Sequence, residues 1–176
     1  MGLLDSLFGN KSVTLKFSVK GLGQPTSSTC WYASYCMMYA FKGQKHEDVL
    51  PKLRNKNLKV DEMLKRGLLP EEMLPAGQAL GVTSVHPDFL KADDYSALVT
   101  RLTKSPIWFA MDLTDDGITQ PTHAVVIYGA DEKLDRVAYY DPYAKPFTGD
   151  PEKGWWTMAD YKKKIFPTCW AAQVWL

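Results

Sequence analysis

The sequence predicts an α+β fold in which a helical N-terminal half packs on a C-terminal antiparallel β-sheet. Three observations carry that reading. Apolar residues recur at helical spacing, with glycine stops, from Cys30 to about Thr103. From Pro106 onward the pattern changes to short β-branched and aromatic runs separated by turn residues. The chain has 176 residues, of which 45% are hydrophobic and 23% charged. That is enough for one domain with its own core.

Taken in order, residues 12–18 alternate apolar and polar and predict a strand, which Gly21, Gly23 and Pro25 end. A helix follows from Thr29 or Cys30 to about Lys42. Ala33, Met37, Ala40 and Phe41 form its buried stripe, and Gly43 is its expected C-cap. Residues 46–54 and 59–66 predict two short helices, the second closed by Gly67. A longer helix is expected over 70–80, with Pro70 at its start and Gly81 just past its end. Residues 93–103 predict another, with Asp93 as N-cap.

In the second half, 106–111 reads as a buried strand, 122–128 as a strand carrying His123, and 136–140 as a strand ending at Asp141-Pro142. A fourth strand is expected over 154–158, a helical turn over 159–165, and a closing strand over 172–176. The expected organisation is a short leader and strand over 1–20, followed by one domain over 21–176.

With 21 basic and 20 acidic residues, the net charge of +1 gives no reason to expect nucleic acid or an anionic membrane as partner. No apolar run approaches the ~18–20 residues of a membrane span. The N-terminal Met1-Gly2-Leu3-Leu4-Asp5-Ser6 matches a lipidation pattern, but it lacks the basic start of a secretory signal. It reads as a short apolar leader, with synthesis in the cytoplasm. The three cysteines, Cys30, Cys36 and Cys169, are too few and too widely spaced for a disulfide framework. None is paired at zinc-site spacing and the three histidines are scattered, so neither a metal nor a cofactor is expected.

The chemistry concentrates on one cysteine. Cys30 follows Gln24-Pro25-Thr26-Ser27-Ser28-Thr29 and opens the first helix, where the helix dipole favours a thiolate. His123 and Asp141 lie far downstream at strand ends, so a cleft between the helical and sheet halves would bring the three together. The other candidates read more simply. Cys36 is deep in the helix and Cys169 lies beside Trp170, both as packed hydrophobes. His46 sits in a polar stretch and His86 in a loop. Asp141 has an alternative as the start of an Asp-Pro turn, and Asp112 is its rival by composition. Trp155 and Trp156 read as packing residues, and Lys162-Lys163-Lys164 as a solvated helix face.

The segment Gln24…Cys30-Trp31-Tyr32-Ala33 resembles the active-site motif of papain-like cysteine peptidases. Two further segments extend the resemblance: Thr122-His123-Ala124-Val125-Val126-Ile127-Tyr128-Gly129, and Tyr139-Tyr140-Asp141-Pro142-Tyr143. The chain is similar to the AvrRpt2-like effector peptidases and to the C39-like peptidases, which cleave after Gly-Gly. It has Cys-Trp where some C39-like domains have Cys-Gly. The resemblance implies a papain-like fold and a Cys30-His123-Asp141 triad, with Gln24 donating to the oxyanion. It also implies a protein substrate, with cleavage at Gly-Gly as one form. An effector or toxin role is expected with it, with export that needs no signal peptide and a cognate inhibitory protein covering the cleft. The same residue set would serve an acyl-transfer or deamidating enzyme, and a pseudo-peptidase that only binds peptides is the non-enzymatic alternative.

Overall fold

Seven antiparallel strands form one sheet in the computed structural model, with helices on both of its faces. The structure describes residues 11–85, 95–111, 123–143, 149–165 and 172–175. In chain order the elements are β1 (Ser12–Thr14), α1 (Cys30–Phe41), α2 (Val49–Asn55), α3 (Val60–Arg66), α4 (Pro70–Leu80), β2 (Thr83–Val85) and α5 (Tyr95–Leu102). They continue with β3 (Ile107–Met111), β4 (His123–Asp131), β5 (Arg136–Asp141), β6 (Glu152–Trp156), α6 (Met158–Lys163) and β7 (Ala172–Val174). The sheet runs β2-β7-β3-β4-β5-β6. β1 pairs with Gly129–Asp131 of β4, beyond the stretch that β3 occupies.

Side-chain alternation splits the core in two. Trp108, Ala110, Ala124, Val126 and Tyr140 face α1 and the short helices. Ile107, Phe109, Val125, Ile127 and Val137 face α5 and α6. A bulge in β4 between Ile127 and Gly129 moves Ala130 onto the same face as Ile127. Glycine suits position 129, because a Cβ would sit tightly on the Val13 carbonyl of β1 at 3.1 Å.

The helix over 70–80 has the expected bounds, and Gly67 and Gly81 end α3 and α4 with positive φ. Elsewhere the structure corrects the sequence. Burial alternates from Val13 to Val19, but ladder pairing stops at Thr14, so β1 is shorter than the 12–18 strand. β2 was not anticipated: the run after Gly81 pairs with β7. α1 carries no single stripe. Trp31, Ser34, Tyr35, Cys36, Met38 and Tyr39 are buried as well as Ala33 and Met37, while Ala40 and Phe41 are only half-buried. α1 is a central helix, enclosed by β3 and β4 on one side and the 46–55 segment on another. The proposed cap Asp93, together with His86, Asp112 and Cys169, lies outside the described residues.

Candidate active site

The approach to α1 leaves its first turn without a side-chain cap. Thr29, at the N-cap, turns its hydroxyl back on the preceding turn, accepting from the Thr26 amide at 3.0 Å and donating to the Thr26 carbonyl at 2.9 Å. The first amides of a helix have no intrahelical acceptor, so here they face outward unsatisfied by a cap. Cys30 is the first helical residue and is 9% exposed.

Two buried bonds fix this turn against the sheet. Trp108 of β3 donates its indole N–H to the Trp31 carbonyl at 3.2 Å. Ser34, one helical turn after Cys30, donates its hydroxyl to the Ala124 carbonyl at 3.0 Å. Ala124 follows His123, so the helix start and the strand start are registered within a few residues of both side chains. Tyr35 stacks on Trp108 with ring centroids 5.0 Å apart, stiffening the same contact.

His123 opens β4 and Asp141 closes β5, and their side chains meet, with Nε2 2.7 Å from Asp141 Oδ1. The Tyr143 amide donates to the same oxygen at 2.8 Å. Oδ1 is thus an acceptor, so His123 carries its proton on Nε2 and leaves Nδ1 for the other side of the ring. Cys30 lines the same cleft as that ring. Burial works against a charged imidazole, but the Asp141 and Cys30 interactions outweigh it and push His123 up to about 9.

Gln24 is nearly fully buried at 1% exposure, and its amide donates to the Pro142 carbonyl at 2.7 Å, next to Asp141. Its side-chain Nε2 donates to the Thr26 carbonyl at 2.8 Å, while Oε1 has no hydrogen-bond partner among the described residues. Because a carbonyl only accepts, this bond sets the orientation of the amide. Gln24 is absent from the cleft lining. The structure therefore brings Cys30, His123 and Asp141 together and leaves Gln24 tethered to the loop that leads to Cys30.

A cleft of about 320 Å³ opens over this group. Ser27, Ser28 and Cys30 contribute one part of its lining, and residues 66–70 with Met73 another. Trp31, Trp108, Ala110, His123 and Ala124 are its other described lining residues. Leu68, Leu69, Pro70 and Met73 make the lining around the 66–70 turn largely apolar. Among the described residues, no group of three or more His, Cys, Asp or Glu side chains is placed to hold a metal ion. Ser34, Trp108 and the 66–70 turn escape motif reading. Their one signal is a polar serine, at the i+4 position from Cys30, inside an otherwise apolar helix.

The α+β architecture, with the Cys30 helix start beside His123 on an antiparallel sheet, is consistent with a papain-like cysteine-peptidase fold. The family model for papain-like cysteine protease AvrRpt2 matches residues 10–166, and the chain belongs to that family. No curated protein matches the chain. Among the described residues, no helix is long and apolar enough to cross a membrane.

Proposed function

We propose that the protein hydrolyses peptide bonds of protein substrates, with Cys30 as nucleophile, His123 as general base and acid, and Asp141 as the residue that orients His123. The observation that carries this reading is the His123 ring, bonded to Asp141 at 2.7 Å and lining the same open cleft as Cys30.

His123 Nδ1 takes the Cys30 proton, and the thiolate attacks the peptide carbonyl. The oxyanion is met by the Cys30 amide, and a turn of the Gln24 side chain from Thr26 toward the cleft would add its Nε2 as second donor. As the tetrahedral intermediate collapses, the C–N bond breaks and His123 returns its proton to the leaving amine. Water then attacks the thioester, gives a proton to His123 and releases the acid and the thiolate. Asp141 keeps the Nε2–H tautomer throughout and stabilises the imidazolium.

The apolar 66–70 lining and Met73 favour substrates that set an apolar side chain beside the scissile bond. Incubating a whole proteome with the wild-type protein and with Cys30→Ala, and sequencing new N-termini by mass spectrometry, tests the assignment. New termini are expected with the wild type only. Their flanking residues show whether cleavage follows Gly-Gly or an apolar pattern. Equal cleavage by both proteins would overturn the reading, and transfer of a labelled amine without new termini would point to acyl transfer instead.

A further inference from the structure

The turn between α3 and α4 contributes to the lining of the Cys30 cleft, and two charged side chains hold it. Arg66, the last residue of α3, donates from Nη1 to the Gly67 carbonyl and to Glu72 Oε2, both at 2.9 Å. Its Nη2 donates to Glu72 Oε1. Glu72 Oε2 also accepts the Leu69 amide at 2.9 Å. Guanidinium and carboxylate therefore grip the turn at one carbonyl and one amide, on either side of Leu68. The grip is placed where the backbone pivots most freely, because Gly67 has φ +96° and carries no side chain. Burial opposes the Glu72 charge, yet the bonds from Arg66 and the Leu69 amide hold its carboxyl below the usual carboxylate range. These bonds end at the turn and do not reach Cys30 or His123.

We propose that the Arg66–Glu72 pair is a positioning device for substrate binding, fixing the 67–69 part of the cleft lining at the spacing a bound peptide needs. The inference rests on the peptidase reading above. Glu72 is also the third residue of α4, where a carboxylate or an amide side chain serves as an ordinary helix cap. The two roles separate experimentally. A cap is kept by Glu72→Gln, whereas a bidentate clamp is not. Misplaced lining weakens ground state and transition state alike, so it appears in the binding constant rather than in the chemical step.

The test uses inactivation of the full chain by an epoxysuccinyl-leucylamide, whose saturation gives a binding constant KI and a chemical rate kinact. Iodoacetamide, too small to need the 67–69 turn, reports the reactivity of Cys30 when its labelling is read on the Cys30 peptide by mass spectrometry. In Glu72→Gln and Arg66→Lys, KI is expected to rise about tenfold. The value of kinact, the iodoacetamide rate and the melting temperature are expected to stay near wild type. Unchanged KI in both variants, or a matching fall in the iodoacetamide rate, overturns the inference and leaves the peptidase reading intact. Non-saturating epoxide reaction of the wild type, with normal iodoacetamide labelling, also overturns it alone. Absence of Cys30 labelling by either reagent overturns the peptidase reading and this inference with it.

Discussion

Replacing Asp141 by asparagine keeps an oxygen facing His123 Nε2 but removes the charge behind it. In the folded protein His123 is lifted from its ordinary 6.5 to about 9. That rise corresponds to roughly 3 kcal/mol in favour of the imidazolium. Burial opposes it, and Asp141 and Cys30 supply it between them. Losing the Asp141 charge is therefore expected to lower the His123 value and to take away part of that stabilisation. The protonated ring delivers the proton to the leaving amine, so kcat/KM for peptide hydrolysis should hold up to the raised value and fall as pH climbs through about 9. In Asp141→Asn this alkaline limb should move to lower pH. The stability consequence has the same sign. A raised folded value stabilises fully below the unfolded 6.5, and that contribution is lost as pH rises through about 9. Thermal unfolding across this window should show the loss in the wild type and a smaller one in the variant. An alkaline limb at the same pH in both proteins would refute the role given to Asp141.

Two further outcomes follow from the structure. Gln24→Ala should lower kcat by about 100- to 1,000-fold, the usual effect of losing one oxyanion donor. Its rate of Cys30 alkylation by iodoacetamide should stay near wild type, so parallel loss of both would refute an oxyanion role. Gly154→Ala should destabilise the fold by about 1–3 kcal/mol, because the added methyl would overlap the Tyr139 ring. That ring cannot swing aside freely, since it stacks on Trp156 at 3.9 Å. Chemical denaturation measures the difference, and a wild-type midpoint would show that the β5–β6 ladder has slack the structure does not suggest.

Helices that end on glycine or begin on proline were legible from the chain because their signals are local. Gly67, Gly81 and Pro70 act within one turn of the residues they punctuate. What depended on distant partners was not legible. Thr83-Ser84-Val85 becomes a strand because residues 172–174 pair with it, and no nearby residue announces that. The all-round burial of α1 likewise comes from elements on several sides, which a periodicity of one stripe cannot show. At the site, Cys30, His123 and Asp141 stood out by residue type and order. The supports around them did not. Ser34, Trp108 and the Arg66–Glu72 pair are ordinary residue types whose meaning lies in one partner each, the Ala124 carbonyl, the Trp31 carbonyl and the 67–69 turn. Gln24 shows the opposite case: the motif draws attention to its side chain, while the structure engages that side chain with Thr26.

The place of β7 makes the sheet depend on a late segment of the chain. Residues 172–174 come after every other described element in the chain, yet they occupy an interior position between β2 and β3. Gln173 then reaches the Tyr35 hydroxyl at 2.7 Å and the Met73 carbonyl at 2.6 Å, and the Trp175 indole closes on the Met38 carbonyl at 3.1 Å. A nascent chain that stops short of this strand holds a cysteine but only a divided sheet beneath it. Loss of residues 172–175 would cost the sheet its join between β2 and β3, and α1 its bonds to Gln173 and Trp175.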